Sequence, residues 1–163
     1  MPVVPFTTEA ITVRLHYGEE AEIRGYLHCN GPDCALCRAG RKVEERVLLP
    51  VYLPTARTIG VLSISPSCRA GALRPQLMPL LFSEKRFVVL LSKPDRSRFK
   101  VGTVELADGM DDGSAPIAAF HQRWEAGEVD LASVYPRVEN QELETIPGIA
   151  TMLRLKGADV GQG

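Results

Sequence analysis

The chain has 163 residues, 45% of them hydrophobic, which suits one domain of ordinary size with a real core. Its first residues, MPVVPFTTEA, lack the basic and apolar parts of a secretory signal, and no apolar run approaches the ~18 residues of a membrane span. We therefore expect a soluble, cytoplasmic protein in a reducing compartment, where a structural disulfide is unfavourable. The formal net charge of −1 indicates no partner by itself.

The charges are nevertheless divided along the chain. Residues 38–100 contain 13 Lys or Arg against 4 Asp or Glu, a balance of +9, whereas the remaining residues contain 6 against 16, a balance of −10. Most of the acidic residues lie between Glu105 and Glu144. This asymmetry predicts a polyanionic partner, or one part of the chain screening the other. The simpler alternative is two solvated faces that neutralise each other.

Alternating apolar and polar residues predict several short strands, beginning with AITVRLHYG and continuing with GYLHC, RVLLPVYLP and TIGVLSIS. GALRPQLMPLLF is a short helix or an irregular connection. RFVVLLSK and FKVGTVEL predict a hairpin around PDRSR. Ser114 is predicted to cap a helix over APIAAFHQRWEAG. DLASVYP and IPGIATMLRL add short helical pieces, and KGADVGQG is typical of a tail.

Three of the four cysteines fall within nine residues, in CNGPDCALC; they are Cys29, Cys34 and Cys37. The C-x-x-C turn lets two thiolates reach one ion, and NGPD bends the chain so that a third can join them. Three thiolates and one imidazole suit tetrahedral zinc. His16 is the preferred fourth ligand because a hairpin return would bring it close, and His28 and Cys68 are the alternatives.

Other uses of these cysteines are less favoured. A redox dithiol would require a βαβ context, and a zinc deaminase would require a Glu two residues after a ligand His; the sequence offers neither. Four protein ligands leave no open position on the metal. The predicted zinc ion is therefore structural.

Five or so strands followed by helices predict a mainly β fold: a small antiparallel five-stranded OB-like barrel with a zinc-clasped loop and short C-terminal helices. The predicted organisation is a zinc-containing OB-like domain over residues 1–106, an acidic, partly helical segment over residues 107–156, and a flexible tail over residues 157–163.

The pattern His-x12-Cys followed by C-x2-C, here His16, Cys29, Cys34 and Cys37, resembles the zinc-containing OB-fold single-stranded DNA-binding proteins of tailed phages and related mobile elements. The resemblance extends over residues 11 to 106 and includes CNGPDCALCRAGRK, PVYLP, TIGVLSIS and RFVVLLSKPDRSRFKVGTVEL. It implies cooperative, sequence-tolerant coating of single-stranded DNA during replication and recombination, with a structural zinc ion.

Under this hypothesis, a basic groove neutralises phosphates and aromatic side chains stack on bases. The predicted nucleic-acid-binding residues are Arg38, Arg41, Lys42, Tyr52, Lys93, Arg96, Arg98, Phe99 and Lys100. For each cation the alternative is a solvated surface charge, and for each aromatic ring it is the core. PDRSRFK is predicted to be a mobile finger that closes over the strand.

The acidic segment has two predicted uses: it recruits replication or recombination proteins, or it covers the basic groove until nucleic acid displaces it. The alternative is a helical appendage that completes the fold, which the helical spacing of Ile117, Phe120 and Trp124 favours.

Two other classes of binding protein stay open, a zinc-clasped protein-interaction adapter and an RNA-binding module. An enzyme is the least favoured class, because the sequence has no G-x-S-x-G elbow, no phosphate-binding P-loop and no H-E-x-x-H motif.

Overall fold

The computed structural model describes residues 2–82, 87–92, 100–106 and 111–161. These residues form seven strands: β1 (Pro2–Pro5), β2 (Ile11–Gly18), β3 (Gly25–His28), β4 (Glu44–Leu53), β5 (Thr58–Ile64), β6 (Phe87–Ser92) and β7 (Lys100–Glu105). They also form five α-helices: α1 (Ala35–Arg38), α2 (Leu73–Leu81), α3 (Ser114–Glu125), α4 (Asn140–Leu143) and α5 (Pro147–Gly161). Short 3-10 helices cover Ala21–Ile23 and Leu131–Val134. No helix of the described residues is long and apolar enough to cross a membrane.

The chain divides into two compact units, each assembled from two stretches that are distant in sequence. The first, which we call the sheet unit, consists of residues 1–12 and 46–132. The second, which we call the cysteine unit, consists of residues 13–45 and 133–163. This division follows different boundaries from the segments 1–106, 107–156 and 157–163, which stay predictions.

The strands of the sheet unit run in the order β5-β4-β1-β6-β7, and every pair is antiparallel. Strand β5 pairs with β4 from Val47↔Ile64 to Leu53↔Thr58, while β7 pairs with β6 at the other end. Among the described residues these two end strands do not pair with each other. The predicted five-stranded barrel is therefore wrong: the strands of this unit belong to an open antiparallel sheet. Strand β1, which has a proline at each end, lies between β4 and β6.

Strand alternation gives the sheet unit two buried faces. One face of β4, with Val47, Leu49 and Val51, packs against Leu73 and Leu77 of α2. The other face buries Val4 and Tyr52 with Ile117 of α3. Each fully buried aliphatic side chain contributes about 1.5–3 kcal/mol relative to an exposed one, so apolar burial is the main stabilising term here.

Helix α3 begins one residue earlier than predicted: Ser114 is its first residue rather than its cap, and the N-cap position falls on Gly113. The residue that precedes it, Gly113, has a φ of +75°, and a Cβ atom there would lie 2.6 Å from ring atoms of Tyr52. Asp111 accepts hydrogen bonds from the Gly113 N–H at 3.0 Å and from the Tyr52 hydroxyl at 2.9 Å. Asp112 accepts a bond from the Ser114 N–H at 3.0 Å. The acidic loop therefore has a structural role, which is to start the helix.

In the cysteine unit, β2 and β3 form a hairpin with the register Leu15↔His28, His16↔Leu27, Tyr17↔Tyr26 and Gly18↔Gly25. Side chains of α4 and α5 complete its core with those of α1. Helix α5 runs to Gly161, so residues 157–161 are helical, whereas KGADVGQG predicted a flexible tail there.

Candidate metal centre

Four potential ligand side chains meet in the cysteine unit: His16, Cys29, Cys34 and Cys37, with ligand atoms that all lie within 4.8 Å of one another. The Sγ atoms of Cys29 and Cys37 are 3.5 Å apart. The His16 Nε2 atom lies 3.6 Å from the Sγ of Cys34 and 3.4 Å from that of Cys37. A tetrahedral zinc ion, with bonds of about 2.3 Å to S and 2.0–2.1 Å to N, implies S···S separations near ~3.8 Å and S···N separations near ~3.6 Å. The spacing is therefore compatible with zinc.

Local structure explains this convergence. The hairpin places His16 beside the strand that leads into Cys29, whose backbone N–H donates to the Arg14 carbonyl at 2.9 Å. Gly31 then turns the chain with a φ of +92°, a conformation that favours glycine. Its carbonyl accepts a bond from the Cys34 N–H at 3.1 Å, and α1 follows. The NGPD turn thus has the bending role that the sequence predicted.

The His16 ring is oriented as a metal ligand. Its Nδ1 atom lies 2.9 Å from the Lys42 carbonyl oxygen, which can only accept, so Nδ1 carries the proton and Nε2 faces the sulfur atoms with a free lone pair. Burial lowers the pKa of His16, the Lys42 carbonyl partly offsets this, and the charges of Arg14 and Arg41 lower it further. The neutral imidazole that coordination requires is the favoured form.

The three thiols interact electrostatically. Burial, followed by the neighbouring Cys29 and Cys34, raises the pKa of Cys37 to about 12. Burial alone would raise the pKa of Cys34, but hydrogen bonds with backbone groups, Asn30 first, outweigh it and lower this pKa. Three adjacent thiolates therefore require a cation to coexist, and a divalent ion supplies that charge. Because the protein provides all four ligands, the donor set fits a structural zinc ion.

Neither alternative fourth ligand belongs to this cluster. His28 is buried, and the strand alternation directs it to the face opposite His16. Its backbone N–H donates to the Pro136 carbonyl at 2.9 Å. Cys68 is exposed and belongs to the sheet unit. The structure thus brings together the four residues that the sequence ranked first.

Residues 133–144 also contact residues 29–42, the candidate site's loop, which we call the metal-binding loop; the sequence did not predict these contacts. Asn140 and Arg137 hydrogen-bond to Asn30 and to backbone groups beside the cysteines. The only signal in the sequence was weak: Arg137 is one of two cations in a stretch that is otherwise acidic.

The predicted nucleic-acid-binding residues of the metal-binding loop are partly neutralised. The Arg38 guanidinium contacts the Glu144 carboxylate, and its Nε donates to the Asp33 carbonyl at 3.2 Å. Arg41 contacts the Glu20 carboxylate, with that of Glu19 at 3.6 Å.

The other predicted contacts are spread over the chain. Lys42 is exposed in the cysteine unit, and Lys100 is exposed at the start of β7 in the sheet unit. Tyr52 is only 1% exposed, so its ring is not available to stack on a base, and that prediction is corrected. Lys93, Arg96, Arg98 and Phe99, with the predicted finger, lie outside the described residues.

The compact units also redistribute the charge. The sheet unit contains 11 Lys or Arg and 10 Asp or Glu, a balance of +1, and the cysteine unit contains 8 and 10, a balance of −2. The large asymmetry along the sequence is therefore absent between the units, because each combines basic and acidic stretches.

An exposed pair of tyrosines was not predicted as a binding surface. Tyr17 is 53% exposed and Tyr26 is 37% exposed, and their rings meet edge to face with centroids 5.3 Å apart. The Tyr26 hydroxyl donates to Glu44 at 3.2 Å, and the Tyr135 ring lies 5.9 Å from the Tyr26 ring. AITVRLHYG gave no signal for this surface, because Tyr17 continues the alternation of Leu15 and that alternation predicts a buried side chain.

Comparisons with protein families, curated proteins and solved structures found no match for this chain. The case for a function therefore depends on the side chains themselves. Those that carry chemistry are the four candidate ligands and the exposed tyrosine pair.

Proposed function

We propose that the chain is a non-catalytic single-stranded DNA-binding protein that coats single strands in replication or recombination and holds a structural zinc ion. The observation that carries the proposal is the Tyr17–Tyr26 pair, exposed on the hairpin that also bears His16. Because strand residues alternate between faces, the tyrosines lie on the face opposite His16. A metal bound by His16 and the cysteines on one face of the hairpin would therefore also keep the two tyrosine rings in place on the opposite face.

Aromatic stacking supplies affinity without sequence preference. A base stacked on an aromatic side chain contributes about 1–3 kcal/mol, and every base offers a π-face. The ring of Tyr26 is oriented by the Tyr17 ring on one side and by the bond from its hydroxyl to Glu44. A preoriented pair loses little conformational entropy on binding.

Phosphate contacts would come from exposed cations of the same unit, Arg24 and Lys42. Arg38 joins them if a phosphate replaces its carboxylate partner, since its side chain is 46% exposed. Exposed ion pairs contribute only about 0–1 kcal/mol, so this exchange costs little. Contacts from residues 93–100 remain a prediction.

A protein-interaction adapter is the second candidate, and the carboxylates favour it. Glu20 and Glu144 already neutralise two of the predicted phosphate-binding arginines, and the cysteine unit has a balance of −2. A tyrosine surface bordered by Glu44 suits a basic protein segment better than a phosphate backbone.

The proposal is tested by fluorescence anisotropy with a labelled dT oligonucleotide, titrated across salt concentrations and against duplex DNA and RNA of equal length. We expect tight binding that prefers single-stranded DNA, with a log–log salt slope of about −0.7 per phosphate neutralised. Equal or tighter binding of RNA would indicate the RNA-binding module. No binding at low salt would reject nucleic acid and leave the adapter.

The double variant Tyr17→Leu, Tyr26→Leu separates stacking from charge. Loss of two stacking platforms, about 2–6 kcal/mol, should weaken binding by about 30-fold or more and leave the salt slope unchanged. Leu155→Ala, at another exposed apolar residue of the cysteine unit, is the matched control and should bind like the wild type. Unchanged affinity in the double variant would locate the binding surface elsewhere.

A further inference from the structure

The Asn140 side chain connects the C-terminal segment to the metal-binding loop at three points. Its Oδ1 atom accepts from the Ala35 backbone N–H and from the Asn30 amide, both at 3.0 Å. Its Nδ2 atom donates to the Asp33 carbonyl, also at 3.0 Å. The first N–H groups of a helix have no partner within the helix, so Asn140 satisfies a donor of α1 between Cys34 and Cys37. This use of both halves of the amide requires a donor and an acceptor on one short side chain.

Arg137 holds the other end of the loop. Its Nη1 atom donates to the Cys29 carbonyl at 3.1 Å and to the Asn30 side-chain oxygen at 2.9 Å. One residue earlier, the Pro136 carbonyl accepts from the His28 N–H at 2.9 Å. The backbone on both sides of Cys29 is thus bonded to residues more than a hundred positions later in the chain.

Apolar side chains of the C-terminal segment also pack beside the cysteines. Leu143, Ile146 and Ile149 are at most 5% exposed and share one buried cluster with Cys29 and Cys34. Helices α4 and α5 therefore supply part of the apolar surroundings of the sulfur ligands. Such surroundings limit the access of water to a metal site and of the chelators that remove the metal.

We infer that residues 133–161 form the outer layer of the metal centre, with Asn140 and Arg137 as positioning residues that hold the Cys29–Cys37 loop in its ligand geometry. Metal binding and docking of the C-terminal segment are then one coupled equilibrium. This inference rests on metal binding by the four ligands and is independent of the nucleic-acid proposal.

Coupling of this kind is reciprocal. Any factor by which docking of the segment raises metal affinity is also the factor by which the metal favours docking. Loss of an outer-layer partner at a metal site typically lowers metal affinity by about 10–100-fold. We expect a loss of this size for Asn140→Ala.

The first test uses the full-length zinc-loaded protein and a chromogenic chelator, which reports both zinc affinity and the rate of zinc release. Asn140→Ala should release zinc faster and bind it about 10–100-fold more weakly. Asn140→Asp keeps the acceptor for Ala35 and Asn30 but loses the donor to Asp33, so it should be intermediate. Gln141→Ala, the exposed neighbour on α4, is the matched control and should behave like the wild type.

Cobalt-substituted protein supplies a readout that a general loss of stability would not change. If Asn140 positions the ligands, Asn140→Ala should alter the shape of the cobalt d–d bands in the fully loaded protein, and Gln141→Ala should not. Wild-type zinc affinity, release rate and cobalt spectrum in Asn140→Ala would overturn the inference.

A second test uses only the wild-type protein, so its result does not depend on whether a variant folds. Hydrogen exchange of the α5 amides is measured in the wild-type protein before and after zinc is chelated. The inference predicts that α5 loses protection when the metal leaves, while β4 and β5 of the sheet unit keep theirs. Unchanged protection of α5 would overturn it. Because neither test contains nucleic acid, failure of the DNA titration would not affect the result.

Discussion

The two compact units are stabilised by different chemistry. The sheet unit buries a continuous aliphatic cluster, with Val3 and Val89 completely inaccessible to solvent. The cysteine unit places sulfur atoms and a histidine in its interior and depends on side-chain hydrogen bonds to one loop. Apolar burial is non-directional, whereas a ligand set acts only at one geometry. The two units should therefore fail under different treatments.

The largest effect is expected from removal of one ligand. Cys37→Ala should abolish zinc binding and unfold the loop, because structural zinc contributes about 10–16 kcal/mol of apparent binding free energy in small zinc-dependent folds. Zinc content and hydrogen exchange, resolved by unit, measure the outcome. Cys68→Ala, at the exposed cysteine, is the control and should retain zinc and stability. Stoichiometric zinc in Cys37→Ala would contradict the assignment of the site.

A core substitution in the sheet unit should have the complementary effect. Leu77 is 1% exposed, so Leu77→Ala should lower the free energy of unfolding by about 2–5 kcal/mol. Urea unfolding measures the loss, and zinc stoichiometry should stay at the wild-type value. Leu90→Ala, at a residue that is 49% exposed, should cost less than about 1 kcal/mol. Equal costs at the two positions would refute the apolar core described for this unit.

Mild acid should destabilise the cysteine unit first. The pKa of His16 is lowered by burial from an ordinary value of 6.5, so the unfolded form binds more protons, and stability falls as the pH drops below about 6.5 toward the folded pKa. The pKa of Asp111 in the sheet unit is lowered from 3.8 by the Gly113 N–H and the Tyr52 hydroxyl. The ionised Asp111 carboxylate therefore contributes stability above about pH 3.8, and this contribution is lost only in stronger acid.

Hydrogen exchange followed from about pH 7.5 to about pH 2 distinguishes these two transitions. Amides of β2 and β3 should lose protection before those of β4 and β5. Loss of protection at the same pH in both units would show that the whole chain unfolds cooperatively in acid, and that protonation of His16 does not control the response.

The smallest effect is expected at the surface. Glu144→Gln removes the carboxylate partner of Arg38, and both side chains are nearly half exposed, so stability should change by no more than about 1 kcal/mol. If Arg38 contacts phosphate, the variant should bind the dT oligonucleotide more tightly because a competing charge is lost. Glu139→Gln is the matched control, because Glu139 is an exposed acid at the N-cap position of α4 whose side chain makes no capping hydrogen bond. Weaker binding in Glu144→Gln would remove Arg38 from the proposed interface.

Features set by neighbouring residues were predictable from the sequence. The cysteine spacing, the β6–β7 pair and the existence of α3 all depend on short-range geometry, and the structure contains each of them, although Ser114 is the first residue of α3 and not its predicted cap. Strand β1 was missed because PVVP is short and carries two prolines, and its partners lie near Tyr52 and Val89. The predicted barrel was wrong because closure requires the two end strands to pair, and the sequence of one strand does not show which other strand lies beside it.

The charge pattern along the chain did not predict how charge is distributed in the folded protein. Arg38 and Glu144 belong to opposite charge blocks, yet they pair in the folded cysteine unit. Asn140 was invisible for a related reason: nothing local to it indicates that its partners lie 105 to 110 positions earlier. Long-range polar contacts of this kind depend on how the elements pack, which periodicity does not encode.

The separation of 110 residues between Asn30 and Asn140 also has a consequence during translation. A ribosome adds about 5–20 residues per second, so the cysteine loop exists for roughly 5–20 seconds before the segment that covers it has been made. During that interval the three thiols are open to metal ions and to oxidants alike. The order of synthesis therefore makes early metal capture, ahead of the last helix, the route that protects the nascent chain.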